Sequence, residues 1–175
     1  MIESEVAKRS ARQYVALSDT EIDFHPHPRL SSRMPQRSET RPFPPITISD
    51  DPSRVDLVQL AELFEITWWA KDRPPDQVRR ALEHSHPVLT AWEGDRMVGF
   101  TRVISDLTYR ASIWDVIVRP GHQGRGIGAA LVQAVLNHPD LKTVTLFMLL
   151  TKDQHPFYER LGFTTDRDMS MIYRR

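Results

Sequence analysis

The sequence predicts a mixed α/β (α+β) domain with a mostly antiparallel sheet, and two patterns carry that prediction. The segment "PVLTAWEGDRMVGFTRVIS" has two apolar runs around Gly94 and Asp95, which indicates an antiparallel hairpin. Further on, the apolar run "ASIWDVIV", a glycine-rich loop, the helical pattern "GIGAALVQAVLNH" and the run "KTVTLFMLL" form a β-α-β crossover. Hairpins first and a crossover later are typical of a mixed sheet covered by helices.

The other elements follow in chain order from the same local patterns. Apolar residues at helical spacing predict a helix over 53–69, and two prolines open a second helix over 74–85, where prolines are tolerated. A short strand at 46–49 precedes these helices. After the crossover, we expect a short helix over 154–162 that Gly162 ends, and a last strand over 169–174.

Composition divides the chain near residue 45. Residues 1–45 hold six of the 13 prolines and no glycine, so they predict an arm that is flexible or docks on a partner. A short helix from Glu3 to Leu17 is a weaker alternative for part of this arm. The folded domain is predicted over 46–175.

Charge and residue usage exclude several classes of protein. Lys plus Arg and Asp plus Glu both number 23, which argues against a dedicated binder of nucleic acid or anionic membranes. No apolar run approaches the ~20 residues that span a bilayer, and the start lacks the apolar core of a signal peptide. The chain has no cysteine, which fits a reducing cytoplasmic compartment. Its seven histidines form no recognisable ligand set, so no metal site is predicted.

The glycine loop predicts an anion site at the start of a helix. The first amides of a helix lack partners and carry partial positive charge, and glycines let a phosphate come close. Gly124, Gly126 and Gly128 would therefore bind a diphosphate, and Arg119 and Arg125 would add charge.

Three kinds of phosphate-containing ligand can be compared with this loop. A nucleoside triphosphate loop needs lysine where Ile127 stands, so that ligand is rejected. Gly124, Gly126 and Ala129 match the dinucleotide pattern G-x-G-x-x-A. Such a loop should follow its strand directly in the first β-α-β unit, but here five residues separate it from Val118 and three strands precede it, which argues against a dinucleotide. The diphosphate of coenzyme A is the third candidate.

Two motifs resemble the GNAT superfamily of N-acetyltransferases. "QGRGIG", residues 123–128, matches its Q/R-x-x-G-x-G/A motif, and "PFYERLGF", residues 156–163, resembles its late F-Y-x-x-x-G-F segment. The resemblance covers roughly residues 46–175. It implies a GNAT-like sheet with a splayed central strand pair and helices on both faces, and acetyl-CoA as co-substrate.

A narrower resemblance points to one branch of that superfamily. "TWWAKDR", "GFTRVISDLTYRASIWDVIVRPGHQGRGIG" and "FYERLGF" are similar to acetyltransferases of red-algal plastids and cyanobacteria. They also resemble plant chloroplast enzymes described as serotonin or protein N-acetyltransferases. This implies a cyanobacterial or plastid-related origin, with a location in the cytosol or its plastid equivalent, the stroma.

The resemblance assigns binding of acetyl-CoA to two neighbouring segments. In the family, the strand before the loop pairs with the pantetheine arm like an extra strand, and the loop binds the diphosphate. The implied residues are the backbone of Val116, Ile117 and Val118, and the loop residues Gln123, Gly124, Arg125, Gly126, Ile127, Gly128 and Ala129.

Catalytic residues are implied by position in the same motifs. Tyr158 is expected to protonate the departing thiolate, because a phenol keeps its proton at pH 7. Asp115 is the first choice as general base, and burial would raise its pKa. A structural carboxylate bonded to Arg102 or Arg110 is the equal alternative. Asp106 is the second choice as base, and a water chain the third.

One pantetheine contact and the acceptor contacts are less defined. Many GNAT enzymes have an asparagine after the second splayed strand that bonds pantetheine; here Thr151, Asp153 or Gln154 replaces it, or the contact is missing. Trp69 is predicted to border the acceptor, whereas Trp68 is expected to complete a helix core.

The expected reaction is direct transfer of acetyl to a protein lysine, a protein N-terminus or an arylalkylamine such as serotonin. A non-catalytic acyl-CoA sensor or scaffold is the alternative. A partner of the arm and a homodimer stay open.

Overall fold

The computed structural model of the protein describes residues 13–15, 44–166 and 171–172. Its strands form one sheet in the order of the chain, antiparallel throughout except for the last pair, which is parallel. The strands are β1 Gln13–Val15, β2 Ile46–Ser49, β3 Val88–Glu93, β4 Arg96–Ser105, β5 Arg110–Val118 and β6 Leu146–Leu149.

Helices cover both faces of this sheet, as the sequence predicts. On one face, α1 (Leu57–Glu65) and α2 (Pro75–Glu83) enclose an apolar core with β3, β4 and β5. On the other face, α3 (Ile127–Leu136) and α4 (His155–Glu159) enclose a second core. The predicted mixed, mostly antiparallel sheet is confirmed.

Helix α1 is shorter than the predicted helix over 53–69. Asp56 begins it, since its carboxylate accepts hydrogen bonds from the amides of Val58 and Gln59. The helix ends at Glu65, and the Thr67 hydroxyl donates to the carbonyl of Phe64 just beyond it. The following tryptophans therefore lie in a turn. The expectation that Trp68 completes the core is wrong, because 77% of it is exposed.

Part of the N-terminal segment adds a strand to the sheet. Strand β1 pairs antiparallel with β2, with Tyr14 opposite Ile48. This pairing contradicts a helix from Glu3 to Leu17 at residues 13–15. The rest of the predicted arm, and most of the predicted last strand over 169–174, lie outside the described residues. The domain boundary near residue 45 stays a prediction.

A β-bulge at Asp115 changes the direction of β5. Ile117 pairs with Phe100 and Trp114 with Arg102, so two residues of β5 oppose one residue of β4. The backbone of Asp115 has φ +56°. Ile113 lies in the core beneath α3, yet Ile117 lies in the core beneath α1. One extra residue thus exchanges the faces of the strand.

The central strands β5 and β6 separate soon after they meet. Their pairing runs from Arg110 opposite Leu146 to Ile113 opposite Leu149, where β6 ends. Strand β5 continues to Val118, five residues further. The predicted splayed pair is therefore present, and among the described strands none covers this edge of residues 114–118.

Candidate active site

The glycine loop ends in an exposed helix N-terminus. Gly124 and Gly126 have φ +76° and +75°, which only glycine adopts readily, and Gly126 caps α3 without a side-chain bond. Within the described part of the chain, no protein group accepts from the amides of Gly126, Ile127, Gly128 or Ala129. With the helix dipole behind them, these amides form a cradle for an anion.

Strand β5 brings unpaired backbone groups beside that cradle. The amide of Arg119 donates to the carbonyl of Val98 at 2.8 Å, so by alternation the peptide groups of Ile117 face β4. Those of Val116 and Val118 then face the splay. The Val118 carbonyl accepts from Gln123 Nε2 at 3.1 Å, which joins the strand edge to the loop.

The start of α3 is tightly packed against both neighbours. A Cβ on Gly128 would lie 3.4 Å from Phe157 Cζ and 3.6 Å from Val118 Cγ2. A larger side chain would therefore push α3 away from β5 and α4. This packing fixes the loop amides relative to the free strand edge.

The two arginines expected at the phosphates bind acidic side chains instead. Arg125 Nη1 lies 2.9 Å from Glu93 Oε1, and Arg119 Nη2 lies 3.0 Å from Glu62 Oε2. Arg125, together with His122, lowers the pKa of Glu93. Attraction of an anion to the loop therefore rests on backbone amides. Arg125 is still predicted to contact the co-substrate, but through its backbone rather than its side chain.

Tyr158 lies in α4 among aromatic rings. Its ring packs edge-on against Phe157 and Phe163, with centroids 4.9 and 5.8 Å away. Burial raises the pKa of its phenol, so the hydroxyl is protonated at neutral pH. Helix α4 ends at Glu159, before Gly162, where the sequence predicts its end; Gly162 has φ +91° in the turn that follows. The proton donor expected of Tyr158 is chemically competent.

Asp115 is a buried carboxylate held by two arginines. Only 2% of its side chain is exposed. Arg73 donates to both oxygens, at 2.9 and 3.2 Å, and Arg102 Nε donates at 2.6 Å. These bonds occupy lone pairs that a base would use, which favours the structural alternative with Arg102. Arg110 is not a partner, and the role of general base stays a prediction.

Asp106 is a turn residue at the other end of β5. Its carboxylate accepts hydrogen bonds from the amides of Thr108, Tyr109 and Arg110. These bonds lower its pKa, the amide of Arg110 most of all. A carboxylate that is less basic and lies before the splayed region is a poor second choice as base.

The two expected catalytic side chains lie against different layers. Tyr158 packs with the core beneath α3, whereas Asp115 lines a pocket beside Phe64 and Val78, on the side of α1 and α2. The family resemblance implies that Tyr158 and Asp115 act as a catalytic pair. In the structure, the partners of Asp115 are instead Arg73 and Arg102.

Phe64 of α1 lines that pocket, and Trp69, in the turn after α1, lies beside the same arginine, Arg73. The guanidinium of Arg73 lies 4.9 Å from the ring centre of Phe64 and 5.5 Å from that of Trp69. Trp69 is 40% exposed, so its outer part is available to an acceptor. Lys152 Nζ lies 5.7 Å from the Trp68 ring, so this turn adjoins the loop after β6.

Sequence reasoning missed Arg73. It ends the segment "TWWAKDR" that carries part of the family resemblance, but it lies 42 positions before Asp115, and no local spacing pairs the two. The one available signal is chemical, since a carboxylate in an apolar strand needs a cation, and several arginines compete for that role.

Two histidines form carboxylate pairs away from this site. His86 Nε2 lies 2.8 Å from Asp140 Oδ2, and His138 Nε2 lies 3.2 Å from Asp50 Oδ2. Ligand atoms of His86, His138 and Asp140 lie within 4.8 Å of one another, a spacing that a metal ion could use. However, the amide of Asp140 donates to His138 Nδ1, so Nε2 carries the proton. The arrangement is that of two histidine–carboxylate pairs.

No helix among the described residues is long and apolar enough to cross a bilayer.

Comparison with known proteins gives a consistent result. Residues 55–163 match the acetyltransferase (GNAT) family. The N-acetyltransferase ycf52 of Porphyra purpurea is 35% identical over 121 residues, which are 65% of this chain and 68% of the relative. The chloroplastic serotonin N-acetyltransferase 2 of Oryza sativa subsp. japonica is 34% identical over 122 residues, 65% of this chain and 59% of the relative.

A solved structure extends this likeness to the fold. The putative GNAT acetyltransferase of Xanthomonas campestris pv. campestris is 40% identical, with a TM-score of 0.69 over 76% of this chain and 94% of that one. The splayed strands, the glycine loop before α3 and these matches lead to one conclusion: the chain belongs to the GNAT family of acetyltransferases.

Proposed function

We propose that this protein transfers an acetyl group from acetyl-CoA directly to an amine. One observation carries the proposal: the unpartnered amides at the start of α3 adjoin the free edge of β5. The first can bind a diphosphate, and the second can hydrogen-bond an extended amide-containing arm such as pantetheine. Val116, Ile117, Val118 and residues 123–129 would hold the co-substrate.

The chain's own groups can supply three parts of the reaction. The β5 edge would orient the thioester, and the amide of Val116 would donate to its carbonyl oxygen as negative charge develops there. Tyr158 would give its proton to the departing sulfur. No cysteine is present to carry the acetyl group, so attack by the amine itself is the simplest route.

Deprotonation of the amine is the open step. Alkylamines are mostly protonated at neutral pH, so a proton must leave before attack. Asp115 stays the sequence-based candidate, although its bonds to Arg73 and Arg102 favour a structural role. The alternative is a water chain through the splay that carries the proton to bulk solvent. The ion pairs of Asp115 with Arg73 and Arg102 favour this alternative, because they make Asp115 a weaker base.

The acceptor is an amine bound between the splayed strands and Trp69. A protein lysine, a protein N-terminus and an arylalkylamine are the proposed classes. Two relatives named as chloroplastic support a location in the stroma or its equivalent, the cyanobacterial cytosol.

Calorimetry and a thiol-release assay test this function in sequence. We expect acetyl-CoA to bind the full chain and free thiol to appear when peptides or serotonin are added. Binding without turnover on any amine would favour an acyl-CoA sensor or scaffold. Absence of binding would refute the proposal itself.

A further inference from the structure

A small pocket lies beside the bulge of β5. Its volume is ≈ 180 Å³, enough for one ring or a short aliphatic group. The lining combines apolar side chains with three charged ones, and the residues used below are Phe64, Val78, Leu82, Arg73, Arg102 and Asp115.

The charges around this pocket do not balance. Arg73 and Arg102 each contribute one positive charge, while Asp115 supplies the one carboxylate of the lining. The pocket thus carries a net charge of about +1, in a place where apolar walls weaken solvent screening. A second cation would be repelled there, and an anion would be attracted.

Arg102 has a donor left over for such an anion. Its Nε donates to Asp115 and its Nη1 to the hydroxyl of Ser85 at 3.2 Å, and that hydroxyl donates to the carbonyl of Ala81. Among the described residues, none accepts from Arg102 Nη2. Only 12% of the Arg102 side chain is exposed, so this donor has little access to bulk water.

Arg73 offers a second, more accessible cation. Both of its Nη atoms donate to Asp115, which holds the guanidinium in place between two aromatic rings. Arg73 lines the pocket and its side chain is 32% exposed, so it is more accessible to a ligand than Arg102. Paired guanidiniums that are already oriented are well suited to bind a carboxylate.

We infer that the acceptor amine carries a carboxylate on an apolar body, and that Arg73 and Arg102 bind this carboxylate. The inference rests on the proposed transfer to an amine and specifies its substrate class. It ranks an amino acid or an acidic peptide above an arylalkylamine without an acid.

The position of the pocket fits this role. Asp115 lines the pocket, and the next residue, Val116, presents its backbone to the splay. Asp115 and Val116 are adjacent on β5, so the arginines that hold Asp115 lie beside the strand segment whose edge is proposed to orient the thioester.

Binding of a matched pair of probes tests the inference without catalysis. We would titrate the full chain, saturated with coenzyme A, with 3-phenylpropionate and with 3-phenylpropanamide. The two probes share a ring and length, and differ in charge. We expect the acid to bind about tenfold more tightly, since hydrogen bonds to charged groups are the stronger kind. Equal affinities, or tighter binding of the amide, would overturn the inference.

Two variants assign the effect to the pocket. Arg73→Gln should bring the preference for the acid close to one, and Arg73→Lys should retain most of it. Arg79→Gln, an exposed change on α2, removes the same charge without lining the pocket and should leave the preference intact. A preference that survives in Arg73→Gln, or that Arg79→Gln abolishes equally, would overturn the assignment.

Turnover measurements test this inference separately from the proposed acetyltransferase function on which it rests. With acetyl-CoA, phenylalanine should be acetylated with a higher kcat/KM than phenylalanine amide or phenethylamine. Turnover on all three without preference would overturn the inference alone. Failure of acetyl-CoA to bind would overturn the proposed function, while the same probe titration, run without coenzyme A, would still report on the pocket.

Discussion

Arg73 Nη1 lies 2.9 Å from Asp115 Oδ2, and this pair joins the connection between α1 and α2 to the bulge of the central strand. Arg102 binds the same oxygen from β4. The buried carboxylate therefore holds three parts of the fold together at the point where β5 and β6 separate.

Asp115→Asn should destabilise the fold while leaving the form of the pH profile unchanged. Removing the one acid leaves two arginines uncompensated in a buried place, which we expect to lower the free energy of unfolding by about 3 kcal/mol. Urea unfolding measures this loss. If the pH dependence of kcat/KM also lost a limb, Asp115 would be the base after all.

Tyr158→Phe should reduce turnover and spare binding of acetyl-CoA. The half-buried phenol has a raised pKa and is proposed to act as the acid, so its loss should lower kcat by about 100-fold. Steady-state kinetics and calorimetry separate the two effects. Tyr109→Phe changes an exposed tyrosine and is the matched control. Unchanged kcat in Tyr158→Phe would remove this residue from the mechanism.

Gly126→Ala should weaken binding of acetyl-CoA. Alanine at φ +75° is strained by about 1 kcal/mol, and relief of that strain would turn the loop amides away from the diphosphate. Calorimetry should show at least a fivefold loss of affinity. Gly94→Ala, at φ +59° in the hairpin turn, introduces similar strain far from the loop. Equal loss of affinity in both variants would contradict a local role for the loop.

Stability should fall as the pH drops below about 6.5, and His138 is one cause. Burial lowers the pKa of this histidine in the folded state, although Asp50 and Asp140 oppose the effect. The unfolded chain then binds a proton that the folded chain does not, so acid favours unfolding. Urea unfolding at pH 7.5 and 5.5 measures the slope.

His138→Gln isolates that contribution. The variant should show a smaller loss of stability between the two pH values, whereas exposed His84→Gln should match the parent. The carboxyl groups with lowered pKa values titrate below this window. An identical slope in His138→Gln would exclude the buried imidazole as the cause.

Local sequence patterns predicted the parts of the fold that depend on local physics. The turn at Gly94 and Asp95 and the start of α3 follow from turn chemistry and apolar spacing, and the structure has them there. Strand β6 is shorter than its apolar run over 142–150, because its pairing with β5 covers only Leu146 to Leu149. Helix α1 is shorter than its pattern because Asp56 caps it late.

Long-range contacts were beyond the reach of the same reasoning. Arg73 approaches Asp115 through the fold, and the 42 positions between the two residues hide this contact from local sequence patterns. The side chain of Arg125 binds Glu93 rather than pointing to the proposed diphosphate site, and this contact also joins residues far apart in the sequence. In both cases several cations could satisfy one acid, and only the packed chain selects between them.

The extra residue of β5 also constrains redesign of this protein. The bulge directs the side chain of Asp115 toward the layer of α1 and α2, and the peptide group of Val116 toward the free edge of β5. Both placements therefore depend on the one extra residue. Deleting one position between Ile113 and Ile117 would restore regular alternation, which would displace both the pocket at Asp115 and the strand edge proposed to bind the pantetheine arm. Engineers who wish to alter acceptor choice should therefore vary side chains around the pocket and keep the length of this strand fixed.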